Sequence, residues 1–268
     1  MSKRAWGEWP GRFMRESNSA NGVFGITGVA LGGVGIALAS PVAAATAFLV
    51  SASMFGWCLI RAIPPLKLQA NEHLGQVFDD IDDIEKIDPP LPCIGFVGVS
   101  RSGKTTLLSR VIADVAQPVR TEEPYFVITN VPGDIDHLFI LMDAAGQQFS
   151  QQFKVLDKAD YIVALIDSSA SEISRDIDRV RLNQHEQLLQ QFEGYLRRSP
   201  RRPKALHLLL NKRDLWEGES GETRFRQWVD SQEARWRTIP EIEFSFDTHS
   251  NFKAEDTPKI IQKIRDWT

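Results

Sequence analysis

Residues 98–106 read Gly-Val-Ser-Arg-Ser-Gly-Lys-Thr-Thr, and this stretch decides the fold. It matches the pattern G-x-x-x-x-G-K-[ST], in which glycines let backbone N–H groups surround a phosphate, a lysine adds positive charge, and a hydroxyl ligates Mg²⁺. We call Gly98–Thr105 the P-loop. The apolar run Cys93–Val97 before it predicts a buried parallel strand, and Leu107–Ala116 after it predicts a helix. The order of strand, glycine-rich turn and helix indicates a nucleotide site.

The composition fits one α/β domain with an additional segment. The chain has 268 residues, of which 43% are hydrophobic and 25% are charged. Its formal net charge of -4 gives no support for nucleic-acid binding. The two cysteines, Cys58 and Cys93, indicate neither a disulfide framework nor a four-cysteine zinc site, which fits a reducing environment.

The N-terminal quarter contains a long uncharged segment. Residues 17–60 carry no charged side chain, and a helix needs about 20 apolar residues to cross a bilayer. We therefore predict a transmembrane hairpin over 23–61, with helices at 23–39 and 42–60, after a cytoplasmic tail over 1–22. A basic bias on both sides favours an integral membrane protein with both flanks in the cytoplasm. The flanking basic residues are Lys3, Arg4, Arg12, Arg15, Arg61 and Lys67.

Three alternatives bear on this segment. Gly28-x-x-x-Gly32 lets two helices approach closely and would support a homo-oligomer, although glycine is also frequent in membrane helices generally. Ala37-Leu38-Ala39 resembles a signal-peptidase site, but cleavage there would export a nucleotide-binding domain. The segment could also be a buried soluble hairpin, against which its lack of a polar face argues.

The connector over 62–92 mixes apolar and acidic residues. Apolar residues from Leu74 to Ile87 recur at helical spacing among six acidic residues, which predicts an amphipathic helix over 69–88. This helix would either dock on the following domain or bind a partner. The prolines of Pro89-Pro90-Leu91-Pro92 end it, and the nucleotide domain is predicted over 93–268.

Strands and helices alternate through that domain. Apolar runs predict strands at 125–129, 137–142, 161–167, 205–210 and 243–246, and helices at 171–198 and 257–268. The basic run 197–204 is either a contact for anionic lipid headgroups or a solvated loop. The alternation predicts an α/β fold, a mostly parallel sheet with helices on both faces. Ligands of such sheets bind at the carboxyl ends of the strands.

Two further motifs lie at predicted strand ends. Asp143-Ala144-Ala145-Gly146-Gln147 ends one strand, where a carboxylate can reach Mg²⁺ through water and a glycine N–H can face a γ-phosphate. Asn211-Lys212-Arg213-Asp214 ends another. With the P-loop, these motifs resemble those of the small Ras/Arf-like P-loop GTPase family, over about residues 93–268. In that resemblance they are similar to the second switch, D-x-x-G-Q, and to the guanine-reading motif, N-K-x-D.

The resemblance implies GTP and GDP as ligands. Asp214 would accept two hydrogen bonds from guanine that adenine does not offer, and the stem of Lys212 would cover the base. The residues expected to contact the nucleotide are Gly98, Ser100, Arg101, Ser102, Gly103, Lys104, Thr105, Thr106, Gly146, Asn211, Lys212, Asp214, Thr248, His249 and Ser250. The last three stand in for a degenerate S-A-K motif that supplies a backbone N–H to the guanine oxygen.

The resemblance also implies Mg²⁺-assisted hydrolysis of GTP. Thr105, Asp143 and a first-switch threonine would hold the metal; we choose Thr121 for that threonine, with Thr129 as the alternative. Gln147 would orient the attacking water, and Lys104 and Thr121 would complete the catalytic set.

Two residues inside the P-loop predict slow turnover. Ser100 stands where Ras-like members usually have glycine, and Arg101 is a weak candidate for the arginine that stabilises the transition state. We therefore expect hydrolysis to be slow until an activating protein assists it.

Three functions are compatible with these features. The first is a membrane-anchored GTPase that acts as a nucleotide-dependent switch for an effector protein. The second is a membrane-active or scaffold protein whose glycine-rich hairpin is the effector and whose GTP-binding domain controls assembly. The third is a module that holds GTP and hardly hydrolyses it.

Overall fold

The computed structural model describes residues 3–4, 7, 9–17, 52–53, 55–63, 66–112, 123–131, 134–146 and 149–268. The chain divides into two compact units, Met1–Gln69 and Ala70–Thr268. The first unit contains helix α1, Trp9–Ser17, and a helical stretch over 55–62. Its strand β1, Lys3–Arg4, pairs antiparallel with β2, Leu66–Gln69.

The predicted transmembrane hairpin falls largely outside the described residues. Its first helix, 23–39, lies entirely outside them, together with the Gly28/Gly32 spacing and the Ala37–Ala39 site. Of the second helix, 42–60, only residues 52–53 and 55–60 are described, and all of these are helical. No helix within the described ranges has the length and apolar character that a bilayer crossing requires.

The second unit is organised around a seven-stranded sheet. Its strands are β3, Val77–Phe78; β5, Cys93–Val97; β6, Tyr125–Val131; β7, Asp134–Asp143; β8, Tyr161–Ile166; β9, Ala205–Leu210; and β10, Glu243–Thr248. The spatial order is β10-β9-β8-β5-β7-β6-β3. The five strands from β10 to β7 are parallel, whereas β6 and β3 join antiparallel at one edge. The predicted mostly parallel α/β sheet is confirmed.

Helices cover both faces of this sheet. They are α2, Lys104–Val111; α3, Phe149–Lys158; α4, Arg179–Leu196; α5, Arg213–Trp216; α6, Glu222–Trp236; and α7, Thr257–Trp267. Ile94 and Phe96 of β5 pack into one apolar core with α2 and α7. Gly95 between them faces α3, where a Cβ would lie 2.5 Å from Val155. The alternation of side chains along β5 thus divides the helices between two layers.

The prediction of an amphipathic helix over 69–88 is wrong. Two 3-10 helices, Ala70–His73 and Ile81–Lys86, flank β3, and a two-residue strand β4, Ile87–Asp88, follows. Phe78 packs on the edge of the sheet, where it stacks on Phe126 with ring centroids 4.6 Å apart, whereas Leu74 and Val77 stay exposed. Closely spaced aspartates favour turns over helix, because short carboxylates bond nearby backbone N–H groups. Asp80 does so with the N–H of Asp82, at 2.9 Å.

The helix predicted over 171–198 begins eight residues later than expected, at Arg179. The Asp178 carboxylate accepts from the N–H of Val180 at 2.8 Å and caps this later start. Before it, the Ser171 hydroxyl accepts from the N–H groups of Ile173 and Ser174, at 3.2 and 3.0 Å. These local bonds compete with helix formation and leave 171–178 as a loop beside the carboxyl end of β8.

Candidate nucleotide site

The P-loop joins β5 to α2 at the carboxyl end of the sheet. Gly98 and Gly103 have φ values of 147° and 93°, in the region that favours glycine, and Arg101 has φ 63°. A Cβ at Gly103 would lie 2.2 Å from Nδ2 of Asn211, so this glycine also permits a close approach. The Lys104 ammonium donates to the carbonyl of Gly98 at 2.9 Å, which holds its side chain along the loop.

Three carbonyl groups of the P-loop accept hydrogen bonds from side chains on other elements. The pairs are Ser100 O with Arg181 Nη2 at 2.8 Å, Ser102 O with Asn211 Nδ2 at 2.8 Å, and Gly103 O with Asn251 Nδ2 at 3.1 Å. A trans peptide places its N–H opposite its carbonyl, so the N–H groups of residues 101, 103 and 104 point away from these side chains. Inward N–H groups are what a phosphate cradle requires.

The guanine-like motif 211–214 lies beside the P-loop, after β9. Lys212 has φ 59°, and its ammonium donates to the carbonyls of Ser169 and Ser171 at 2.8 and 3.0 Å. The Asp214 carboxylate accepts from the hydroxyl of Ser250. A pocket of about 260 Å³ opens between these loops. It is lined by Arg101, Gly103, Thr106, Glu172, Asn211, Lys212, Asp214, Leu215, Asn251 and Phe252.

The loop after β10 corrects one sequence expectation. The N–H groups of His249 and Ser250 donate to Leu210 O at 2.8 Å and to Asp256 Oδ2 at 2.9 Å, so neither serves as the predicted guanine donor. Thr248 lies within β10. Residues Asn251 and Phe252 line the pocket where that donor was expected. The cause is local, because the buried Asp256 carboxylate, directly before α7, accepts the hydrogen bond from the Ser250 N–H.

The second-switch residues that the structure describes lie against the P-loop. A Cβ at Gly146 would lie 2.6 Å from the backbone nitrogen of Ser100, so only glycine fits there without movement. Gln152 of α3 accepts from the N–H of Gly98 at 3.0 Å. Gln147 and Thr121 lie outside the described residues. The alternative threonine, Thr129, is buried within β6.

The donor set suits Mg²⁺, the metal that the fold class implies. Strand pairing places Asp143 beside Phe96, and Phe96 lies two residues before the P-loop. The Asp143 carboxylate is buried. Thr105 lies in the first turn of α2 with an exposed side chain. A hydroxyl and a carboxylate are oxygen ligands of the kind that Mg²⁺ prefers alongside phosphate oxygens. Burial lowers the pKa of the Lys104 ammonium, and the nearby Asp143 carboxylate opposes that shift.

A buried carboxylate after β8 gathers three cationic or hydrogen-bonding side chains. Asp167 contacts Arg181 Nε at 2.6 Å, His185 Nε2 at 2.8 Å and Lys212 Nζ at 2.8 Å. Burial alone would raise the pKa of Asp167, but the hydrogen bonds from His185 and Arg181 and the charge of Arg181 outweigh it and lower the pKa to about 2. Burial, together with the charge of Arg181, lowers the pKa of His185, and the hydrogen bond and charge of Asp167 oppose that shift.

Sequence reasoning missed Asp167, Arg181, Asn251 and Gln152. A weak signal existed for Asp167, because an aspartate that ends a buried apolar run lies at the carboxyl edge where ligands bind. The other three carry no motif spacing. Arg181 lies 81 residues from its P-loop partner Ser100, and Asn251 lies 148 residues from Gly103.

Residues 93–212 match the family model described as 50S ribosome-binding GTPase. A comparison with curated proteins gave no match. Among solved structures, the Arl6 BBS3 small GTPase of Trypanosoma brucei is 16% identical, with a TM-score of 0.49, over 65% of this chain and 95% of that one. The mammalian SRP receptor is 19% identical, with a TM-score of 0.49, over 66% of this chain and 100% of that one. The signal recognition particle receptor SRb-GTP/SRX complex of Chaetomium thermophilum is 16% identical, with a TM-score of 0.47, over 66% and 98%.

The family match covers the P-loop, the second switch and the first two residues of the guanine-like motif. The family match agrees with three features of the structure: the mostly parallel sheet, the φ values of the P-loop, and the pocket beside the P-loop. Together these observations support a small P-loop GTPase domain, with GTP and GDP as its ligands.

Proposed function

We propose that this chain is a membrane-anchored small GTPase that binds GTP with Mg²⁺, hydrolyses it slowly and acts as a switch at the cytoplasmic face of a membrane. One observation carries the nucleotide part of the proposal. Side chains from the loops after β9 and β10 hold two P-loop carbonyls, so the base pocket and the phosphate cradle form one continuous site.

Base selection would rest on Asp214 and Lys212. The Asp214 carboxylate is oriented by the Ser250 hydroxyl and lines the pocket, where it would accept from the ring N–H and amino group of guanine. Adenine would leave this carboxylate unpaired, which is costly in a partly buried site. The Lys212 ammonium is engaged with Ser169, Ser171 and Asp167, which leaves its apolar stem to cover the base.

Phosphate binding would use backbone N–H groups together with Lys104. The N–H groups of residues 101, 103 and 104 face away from the side chains that hold the P-loop carbonyls. Lys104 would exchange its bond to Gly98 O for the β- and γ-phosphates. Mg²⁺, when held by Thr105 and Asp143, would neutralise charge on the phosphate oxygens.

Hydrolysis would be slow because few groups act on the γ-phosphate. Gln147 would orient the attacking water and Thr121 would close the site. Arg101 lines the base pocket, and Arg181 is bonded to Ser100 O and Asp167, so neither is placed as a free charge for the transition state. An activating protein that supplies an arginine would accelerate such a site.

The switch part rests on one contact of the second switch with the P-loop, and the membrane part rests on sequence. Gly146 packs against Ser100, so a γ-phosphate that moved the second switch would change the adjoining surface and expose it to an effector. The uncharged segment 17–60 with its basic flanks supports a membrane anchor that leaves the GTPase domain on the cytoplasmic side.

Single-turnover GTP hydrolysis by the full-length chain in detergent tests the catalytic part. We predict that Gln147→Leu lowers the rate by roughly tenfold or more, because the attacking water loses its orienting amide. Gln148→Leu replaces the neighbouring glutamine and should leave the rate unchanged. Equal rates for the unmodified chain and Gln147→Leu would remove Gln147 from the mechanism.

Extraction from membranes tests the anchor. We expect the full-length chain to stay with the membrane after alkaline carbonate treatment, because an inserted apolar hairpin is not held by surface charge. Release into the supernatant under the same treatment would contradict the membrane part and leave the nucleotide site untouched.

A further inference from the structure

We propose that Arg181 is a positioning residue that holds the phosphate-binding backbone of the P-loop in its binding conformation. The inference rests on the proposed function, because it assigns a role toward the nucleotide that this site would bind. The role is carried by one buried guanidinium between the P-loop and the loop after β8.

The Arg181 side chain is fixed at all three nitrogens. Its Nη2 donates to Ser100 O at 2.8 Å, its Nε donates to Asp167 Oδ1 at 2.6 Å, and its Nη1 donates to Gln184 Oε1 at 3.1 Å. The residue is only 4% exposed. A buried charge with three partners has little freedom to rotate, so the position of the Ser100 carbonyl is determined by a rigid group.

Fixing that carbonyl determines where the next N–H points. The peptide between Ser100 and Arg101 is planar, and the cis peptide that the described residues contain lies elsewhere, at Asp88-Pro89. With the Ser100 oxygen held outward by Arg181, the Arg101 N–H is directed to the opposite side, toward the phosphate cradle. The charge of the guanidinium also polarises the peptide and makes this N–H a stronger donor.

The same carboxylate that holds Arg181 also holds the base-covering lysine. Asp167 binds Arg181 through Oδ1 and Lys212 through Oδ2, at 2.6 and 2.8 Å. The P-loop and the guanine-like motif are therefore linked through one buried anion. A shift of Lys212 on base binding would be opposed by the same network that holds the Ser100 carbonyl.

Lysine cannot replace arginine in this role. A planar guanidinium reaches the Asp167 carboxylate and the Ser100 carbonyl with separate nitrogens. The ammonium of a lysine is a single nitrogen and reaches only one of them at a time. Because a charge pair is stronger than a bond to a neutral carbonyl, we expect Arg181→Lys to keep the buried pair with Asp167 and to lose the bond to the P-loop. Arg179, two residues earlier on the same helix, is exposed and provides a matched control.

The experiment compares the full-length unmodified chain with Arg181→Lys, Arg181→Gln and Arg179→Gln. Affinity for GDP is measured by displacement of a fluorescent GDP analogue, and the ³¹P resonances of bound GDP are recorded at saturation. We expect Arg181→Lys and Arg181→Gln to weaken GDP binding by about tenfold, the effect of losing one hydrogen bond to a charged phosphate. We also expect the β-phosphate resonance to shift in both variants, because the Arg101 N–H then makes a poorer hydrogen bond to the β-phosphate.

The ³¹P shift separates positioning from general destabilisation, since a merely less stable protein saturated with GDP keeps its β-phosphate resonance. Unchanged GDP affinity and an unchanged resonance in Arg181→Lys, relative to Arg179→Gln, would overturn the inference. If Arg181→Gln fails to fold, Arg181→Lys decides alone, because it keeps the charge pair with Asp167. Absence of GDP binding by the unmodified chain would instead contradict the proposed function.

Discussion

Charged side chains at the two ends of the sheet behave differently. At the carboxyl end, Asp167 is fully buried and Arg181 and Lys212 are nearly so. Each of these two cations donates to a backbone carbonyl of another loop. At the amino end, Arg201 pairs with Asp160 at 3.1 Å while half exposed, and Lys158 pairs with a largely exposed Glu85 at 2.7 Å. Charged side chains thus hold loops in place at the carboxyl end of the sheet, whereas at the amino end they form ion pairs on the surface.

The contrast follows from solvation. Breaking a buried pair leaves an uncompensated charge and costs about 3–5 kcal/mol, whereas an exposed pair contributes about 0–1 kcal/mol. The carboxyl end can therefore hold several loops in one arrangement before a ligand arrives. The basic run 197–204, predicted as a lipid contact or a solvated loop, is partly engaged with acidic residues, since Arg197 contacts Glu193 and Arg202 contacts Glu241.

The largest expected effect comes from adding a methyl group at the carboxyl end. Gly103→Ala would place a Cβ 2.2 Å from Asn211 at φ 93°, so we predict a loss of at least about a hundredfold in GDP affinity, with about 2–3 kcal/mol of lost stability. GDP titration and urea unfolding measure the two effects.

Gly194→Ala is the control near the amino end, in α4. A Cβ there meets nothing within 4 Å, so GDP affinity should be unchanged and the free energy of unfolding equal or higher by about 0.5–1 kcal/mol. Similar losses of GDP affinity and stability in Gly103→Ala and Gly194→Ala would contradict the proposed difference between the two ends of the sheet.

A second prediction tests whether burial, and not position, decides the value of a charge. His207 of β9 is buried, and burial together with Lys263 lowers its pKa from 6.5 to about 3. Asp247, 3.6 Å away but 61% exposed, does not offset this. Below pH 6.5 the unfolded chain takes up a proton that the folded chain refuses, so stability falls as pH falls.

The His207 contribution should amount to about 2 kcal/mol between pH 6.5 and about pH 5. His207→Gln should flatten the unfolding free energy over that window by this amount, measured by urea unfolding at several pH values. His137→Gln replaces an exposed histidine and is the matched control. An unaltered slope in His207→Gln would show that His207 does not stay neutral in the folded chain.

The smallest effect is expected for an exposed pair. Arg201→Ala removes the contact with Asp160 and should change the free energy of unfolding by less than about 1 kcal/mol, without altering GDP affinity. A loss well above 2 kcal/mol in urea unfolding would mean that the amino end depends on its ion pairs as the carboxyl end does.

Much of the fold was predictable from apolar runs. Strands such as 93–97 and 205–210 are continuous and fully buried, and their sequence shows it. The segment 69–88 was predicted as a helix because Leu74 to Ile87 has helical spacing, yet Val77 and Phe78 instead pair with a sheet edge that only the tertiary structure creates. The late start of α4 followed from serine and aspartate bonds to nearby N–H groups, which periodicity does not detect.

The site was predictable only where a motif has fixed spacing. The P-loop and the motif 211–214 were recognised because their residues are consecutive, and the structure brings them together through Asn211 and Ser102. Arg181 and Asn251 bond to the P-loop from distant parts of the chain, so no local sequence pattern predicts their role. The expected donors at His249 and Ser250 failed because Asp256 and Leu210 take their N–H groups.

Nucleotide preference tests the central claim most directly. Displacement of a fluorescent GDP analogue from the full-length chain is compared for GTP and ATP, in the unmodified protein, in Asp214→Asn and in the surface control Asp230→Asn. We predict that GTP displaces the analogue at a concentration at least about a hundredfold lower than ATP, and that Asp214→Asn alone narrows this gap. Equal displacement by GTP and ATP in the unmodified chain would contradict a guanine-specific site.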